Sequence, residues 1–133
     1  MDYQVKRQIS VALENRPGLL AQIAKLIGDA GVNIEGISVI DNVEQGMVRL
    51  VVSDCEKCRA LLREQGFYLI EADVIEVFIP NEIGSLAQIA SVFADRKINI
   101  DYAYGTDNQK RGTMGLFIKV SDLVVAEDLI KSL

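Results

Sequence analysis

"NRPGLLAQIAKLIGDAGVNI" runs from Asn15 to Ile34, and "NEIGSLAQIASVFADRKINI" runs from Asn81 to Ile100, sixty-six positions later. Ten of the twenty aligned positions are identical, among them Asn15/Asn81, Gly18/Gly84 and Asn33/Asn99. The same spacing carries Asp41 onto Asp107 and Gly46 onto Gly112. A repeat of this length exceeds a solenoid unit. It reads as one small domain written twice.

Around the first copy, "RQISVAL" alternates, with Ile9, Val11 and Leu13 on one side, and predicts a half-buried strand. "NRPG" breaks it, and Pro17 fits the first turn of a helix. Leu20, Ile23, Ala24 and Ile27 then keep helical spacing on one face, and Gly31 closes the helix. "VNIEGISVI" and "GMVRLVV" read as two strands joined by the turn "DNVEQG". Ser53 and Asp54 offer an N-cap to a second helix with Cys58, Leu61 and Leu62 inward, ending at Gly66. "FYLIEAD" is a fourth strand. The order is the ferredoxin-like β-α-β-β-α-β of an α+β fold.

The second copy repeats this order from "VIEVFIP", through a helix lined by Leu86, Ile89, Ala90 and Phe93, to a last helix capped at Ser121-Asp122 and carrying Leu123, Ala126, Ile130 and Leu133. It has no counterpart of "FYLIEAD", so the second unit is expected to lack its last strand. The units are placed at residues 1–72 and 73–133. Their junction contains no Gly or Ser between Phe67 and Pro80, and a bend is predicted near Ala72-Asp73. A bare edge on "VIEVFIP" should be covered, by the "FYLIEAD" segment or by a second chain.

Composition removes several function classes. The chain has 133 residues, half of them hydrophobic, and a lone domain of half that length is marginal, so the halves should share surface. The formal net charge is −5 with no basic run, which argues against nucleic acid as partner. No apolar stretch approaches the roughly 18 residues of a membrane span, and the N-terminus lacks an apolar signal segment. Two cysteines suit a cytoplasmic chain without a disulfide framework. There is no histidine, which removes Ser-His and Cys-His nucleophile pairs and the usual zinc sets. No enzyme activity, cofactor or metal is expected.

Two units with Asn-x-x-Gly-x-Leu before the first helix, and Val/Ile-Asn-Ile opening the next strand, resemble ACT domains over essentially the whole chain. The first copy matches the family pattern closely. The second departs from it, with Ile83 in place of the usual proline and Lys97 in place of the usual glycine. The tandem is similar to stand-alone bacterial proteins of two ACT domains. The resemblance implies a regulatory module that binds small molecules, usually amino acids, at interfaces between paired domains.

Each candidate residue has two readings. The Asn-x-x-Gly turns serve turn stereochemistry, or they offer helix N-terminal N–H groups to a ligand carboxylate. Asn33 and Asn99 are polar strand residues, or amides that orient the ligand. Glu35 and Asp101, two residues on and so on the same strand face, are solvated carboxylates, or acceptors for an ammonium group. With side-by-side pairing, the resemblance implies that Asn15, Gly18 and Leu19 work with Asn99 and Asp101. It likewise implies that Asn81, Gly84 and Ser85 work with Asn33 and Glu35.

"DCEKC" places Cys55 and Cys58 at a helix start, where a thiol pKa is expected to fall, and raises the idea of a redox pair. Their alternative is core packing. Tyr102 and Tyr104 share a strand face and read as packing residues or pocket walls. Apolar residues on both faces of "GMVRLVV" and "TMGLFIKV", Val51 and Phe117 among them, predict that two chains pack through their sheets as a homodimer. The leading function is therefore an amino-acid sensor. The rival is an interaction subunit that docks on a metabolic enzyme, with ligand binding secondary.

Overall fold

The computed structural model describes residues 1–14, 16–41, 45–106 and 112–133. Ten elements follow one another. They are β1 (Tyr3–Leu13), α1 (Leu19–Asp29), β2 (Ile34–Asp41), β3 (Gly46–Val52), α2 (Cys55–Glu64), β4 (Leu69–Pro80), α3 (Ser85–Asp95), β5 (Ile100–Thr106), β6 (Thr113–Val120) and α4 (Leu123–Lys131). They form two compact units. The first is Arg7–Ala72; the second is Asp73–Leu133 together with Met1–Lys6.

The first unit has the strand order β2-β3-β1-β4, antiparallel at β1–β3 and β2–β3. Alternation on β1 sends Ile9, Val11 and Leu13 under the helices, where they meet Val48, Leu50 and Val52 of β3. Leu19, Ile23 and Ile27 of α1 and Cys58 and Leu62 of α2 close this core. The second unit repeats the arrangement with Ile75, Val77 and Ile79 of β4, Ile89 and Phe93 of α3, and Leu116, Ile118 and Val120 of β6. Ala126, Leu129 and Ile130 of α4 complete it.

In chain order the second unit has no fourth strand of its own. Met1–Lys6 supplies it: the Phe78 N–H donates to the Asp2 carbonyl at 3.1 Å, and Tyr3 packs on the second core. In the first unit the Ala12 N–H donates to the Tyr68 carbonyl at 3.2 Å, and Leu69 packs on the first core. Both donor and acceptor positions are shifted by the repeat spacing. The repeat is therefore β-α-β-β-α, with one long strand whose first half closes one unit and whose second half opens the other. The edge of "VIEVFIP" is covered, by a segment that was neither of the two expected.

Several local expectations are corrected. β4 is a single strand from Leu69 to Pro80 where the sequence reads two, "FYLIEAD" and "VIEVFIP", since Leu69 to Ile79 contains only strand-compatible residues with neither Gly nor Pro. Pro17 lies in the turn before α1, because Gly18 takes φ +87° and a left-handed residue cannot sit inside a right-handed helix. The inward row of α1 begins at Leu19, and Leu20 is 43% exposed. In α3 the inward row is Ser85, Ile89 and Phe93, with Leu86 exposed. Leu133 lies beyond the end of α4 and is half exposed.

The sheet-face argument for a dimer also changes. Val51 and Phe117 point away from the helices, yet they are 1% and 0% exposed in the single chain. The Tyr104 ring packs on Phe117 at 5.2 Å between centroids, which is the packing reading of that tyrosine. On the same faces Met47 and Arg49 of β3 and Thr113 and Lys119 of β6 are only partly buried.

Candidate functional site

The glycines of both turns have the same conformation. Gly18 takes φ 87°, ψ −8° and Gly84 takes φ 87°, ψ −2°, each at the N-cap of its helix. A Cβ would meet nothing within 4 Å at either position, so the requirement for glycine is conformational and not steric. The exchange of proline for Ile83 leaves the left-handed conformation of the following glycine unchanged. Glycine brings no side-chain oxygen, so Gly18 and Gly84 give the first-turn N–H groups of α1 and α3 no side-chain cap. The other two helices are capped: Asp54 accepts from the Lys57 N–H at 3.0 Å, and Asp122 from the Val125 N–H at 3.1 Å. In the second turn the Ser85 N–H donates to the Glu82 carbonyl at 3.3 Å, and the Asn81 N–H to the Gly112 carbonyl at 2.8 Å. Asn15 lies outside the described residues.

A groove opens beside each turn. In the first unit it has a volume of about 610 Å³ and is lined by Leu13, Glu14, Arg16, Leu19, Phe67 and Tyr68 among others. The Arg16 guanidinium stands 3.8 Å from the Glu14 carboxylate, both well exposed. In the second unit the groove is about 190 Å³, lined by Ile79, Pro80, Ser85, Gln88, Ile89 and Val92, with Met1 and Leu133. The sequence reading reached Leu19 and Ser85 in these grooves and missed Glu14, Arg16, Phe67 and Tyr68. Gly66, which takes φ +84° after α2, was the available signal that the chain turns back there.

Asn33 and Asn99 are exposed and stand just ahead of β2 and β5. Each is clamped through its backbone. The Asn33 N–H donates to Ser53 Oγ at 2.9 Å and the Ser53 N–H returns to the Asn33 carbonyl at 2.9 Å. Asn99 and Ser121 repeat this at 3.0 and 2.9 Å. Ser53 and Ser121 thus fasten a strand start, while the neighbouring aspartates cap the helices. Glu35 and Asp101 occupy matching irregularities: pairing with β3 shifts between Ile34 and Gly36, and pairing with β6 shifts between Ile100 and Tyr102. Such bulges re-aim a side chain. Asn99 Nδ2 donates to Asp101 Oδ1 at 2.8 Å, and Lys119 Nζ lies 3.5 Å from Asp101 Oδ2.

The structure therefore brings Asn99 and Asp101 together. It does not bring a turn to the asparagine of its own unit. Helix α1 has eleven residues, about 16 Å of helix, and separates Gly18 from the strand that Asn33 precedes.

A second polar cluster lies in the first unit. Glu71 is gripped by Arg59 through two bonds, at 2.6 and 2.8 Å, and approached by Arg7 at 3.4 Å. The hydrogen bonds from Arg59 hold the Glu71 carboxyl down at about 2. Cys55 and Cys58 are free thiols. Burial pushes Cys58 up to about 11, and burial likewise raises Cys55. This corrects the expectation of a lowered thiol pKa: desolvation outweighs the helix start. Among the described residues no group of three or more His, Cys, Asp or Glu is placed to hold a metal, and no helix is long and apolar enough to cross a membrane.

Comparison with known proteins gives a consistent picture. The family model for an ACT domain pair matches residues 4–130. A protein from Bacteroides thetaiotaomicron has a solved structure that superposes with a TM-score of 0.90 at 25% identity, covering 98% of this chain and 89% of that one. The regulatory subunit of aspartate kinase from Thermus thermophilus superposes with a TM-score of 0.73 at 14% identity, over 98% and 93% of the two chains, a likeness of fold. The acetolactate synthase small subunit of Aquifex aeolicus is 45% identical over 47 residues. That match spans 35% of this chain and 24% of the relative's length.

Proposed function

The chain belongs to the ACT-domain family as an ACT domain pair, and from that premise we propose that it senses an amino acid at its glycine turns. Small-molecule sensing for regulation is what the family does. The observation that carries the finer reading is the contrast between helix starts. Two helices begin at glycines in matching left-handed conformation that offer no side-chain cap, and the other two are capped by aspartate. An open helix start with its positive dipole end suits a carboxylate.

In this reading the first-turn N–H groups of α1 and α3 take the ligand carboxylate, the Ser85 N–H leaving its 3.3 Å bond to the Glu82 carbonyl, and Asn15 and Asn81 orient it. Leu19 and Ser85 line the space beside it. The length of α1 and α3 means that the completing asparagine and acidic residue, Asn33 with Glu35 or Asn99 with Asp101, come from a paired domain. A ligand ammonium would displace Lys119 from Asp101. Binding that joins two domains favours the paired state, and this is the regulatory output. The protein is a regulatory module and not an enzyme, with a cytoplasmic setting proposed for its free thiols. Pairing of two chains belongs to the same proposal. With Val51 and Phe117 already buried, the exposed Ile37 and Val39 of outer strand β2 are the better candidates for that contact.

A second reading is favoured by the names of similar proteins, a small subunit of acetolactate synthase and a regulatory subunit of aspartate kinase. There the chain docks on a metabolic enzyme and the ligand is secondary. A thermal-shift screen with the twenty amino acids separates the two. A ligand at a hundredfold excess over its Kd stabilises the native state by about 2.7 kcal/mol, a shift of several degrees. No shift with any amino acid favours the docking subunit.

A further inference from the structure

The two strand starts are built alike but charged differently. Asp101 follows Asn99 by two positions, as Glu35 follows Asn33. On the neighbouring strands the register sets Lys119 of β6 beside Tyr102, and Val51 of β3 beside Gly36. Lys119 and Val51 therefore hold the same place in the two units. Both carboxylate oxygens of Asp101 are engaged: Oδ1 accepts from Asn99 Nδ2 at 2.8 Å, and Oδ2 faces Lys119 Nζ at 3.5 Å. Lys119 Nζ also donates to the Val120 carbonyl at 3.2 Å, so its own strand keeps the ammonium beside the carboxylate. Val51 is buried and brings no charge to the matching place. We infer that Lys119 is a specificity-determining residue, a tethered ammonium that competes with a ligand ammonium for Asp101 and makes the two strand starts unequal. This role rests on reading Asp101 and Glu35 as acceptors for an amino acid, and it separates the two.

An arriving ammonium has to displace Lys119 from Oδ2 or share that oxygen with it. The pair is partly exposed, with side chains 30% and 40% accessible, so solvent screens it and its loss costs little. Repulsion adds to that cost. The Val120 carbonyl retains Nζ near Asp101, so a ligand ammonium there stands close to a like charge, which disfavours its charged form and its binding. A 2-oxo acid has the same carboxylate and side chain as its amino acid, with a ketone in place of the ammonium. It meets no such repulsion, and Lys119 attracts its negative charge. Lys119 therefore narrows the preference for an amino acid over its 2-oxo acid at a site completed by Asp101. A site completed by Glu35 has valine at that place and meets no opposition from it.

Isothermal titration of the full chain tests this on wild type, Lys119→Met and Lys119→Arg. The probes are the amino acid that gives the largest thermal shift among the twenty, and the 2-oxo acid of the same side chain. Methionine keeps much of the lysine stem without its charge. Circular dichroism checks the fold, and Lys119→Gln takes its place if Lys119→Met is unfolded. The expected result is that Lys119→Met binds the amino acid about threefold or more tightly than wild type, and the 2-oxo acid no more tightly. Lys119→Arg should behave as wild type. A lysine that only fastens β5 to β6 would give the opposite sign, since its loss would weaken both probes. Equal or weaker binding of the amino acid by Lys119→Met, or a parallel gain for both probes, would overturn the inference and leave amino-acid sensing standing. Absence of binding by every amino acid, to wild type and Lys119→Met alike, would overturn both.

Discussion

Lys97 takes φ +57°, whereas its counterpart Gly31 takes +77°. A left-handed conformation costs an L-residue about 1–2 kcal/mol, part of which glycine returns through the entropy of the unfolded chain. Lys97→Gly is therefore expected to stabilise the protein by about 0.5–1 kcal/mol in urea unfolding. A neutral or destabilising result would show that the loop conformation is not strained. Glu71 gives a pH signature. Its carboxyl is held at about 2, below the usual 4.5, by hydrogen bonds from Arg59. A lowered folded-state pKa means stability present above about 4.5 and lost as pH falls towards 2. Unfolding free energy measured across that interval should fall for wild type and change less steeply for Glu71→Gln. The thiols were legible only as a spacing. Helical spacing placed Cys58 inward, where the structure buries it, and burial reverses the expected direction of the thiol pKa.

At the scale of elements, the repeat and the periodicities located the helices and strands, though they divided β4 into two, because amphipathic spacing is a local property of the chain. Two features escaped. The helix faces were misread by one residue at Leu20 and Leu86, since the left-handed glycine fixes where each helix begins and so which row turns inward. The role of Met1–Lys6 escaped because strand pairing is non-local: "DYQVK" carries too few apolar residues to declare a buried strand, and only the pairing with β4 reveals it. Its counterpart "YLIEA" is more apolar and was recognised. Hydrogen exchange checks the assignment. In the full chain the Phe78 amide should be protected by Asp2, and the Ala12 amide by Tyr68. Deleting residues 1–6 should expose Phe78 to rapid exchange while Ala12 stays protected. Equal protection of Phe78 with and without those residues would contradict the shared-strand fold.

At the scale of the whole molecule, the fold was legible as two copies of one unit, while half of the candidate site was not. The Asn-x-x-Gly signature marked both turns, and the structure gives their glycines the same conformation despite Ile83. The groove walls at Phe67 and Tyr68 come from the far end of the repeat and carry no motif, so spacing could not connect them to Gly18. The central claim is that the turns bind an amino acid and are not merely structural. Calorimetric titration of wild type, Asn15→Ala, Asn81→Ala and the double variant, with the amino acid that gives the largest thermal shift, tests it most directly. The account predicts that affinity falls tenfold or more in the double variant. Undiminished affinity in the double variant, with its fold intact by circular dichroism, would contradict it.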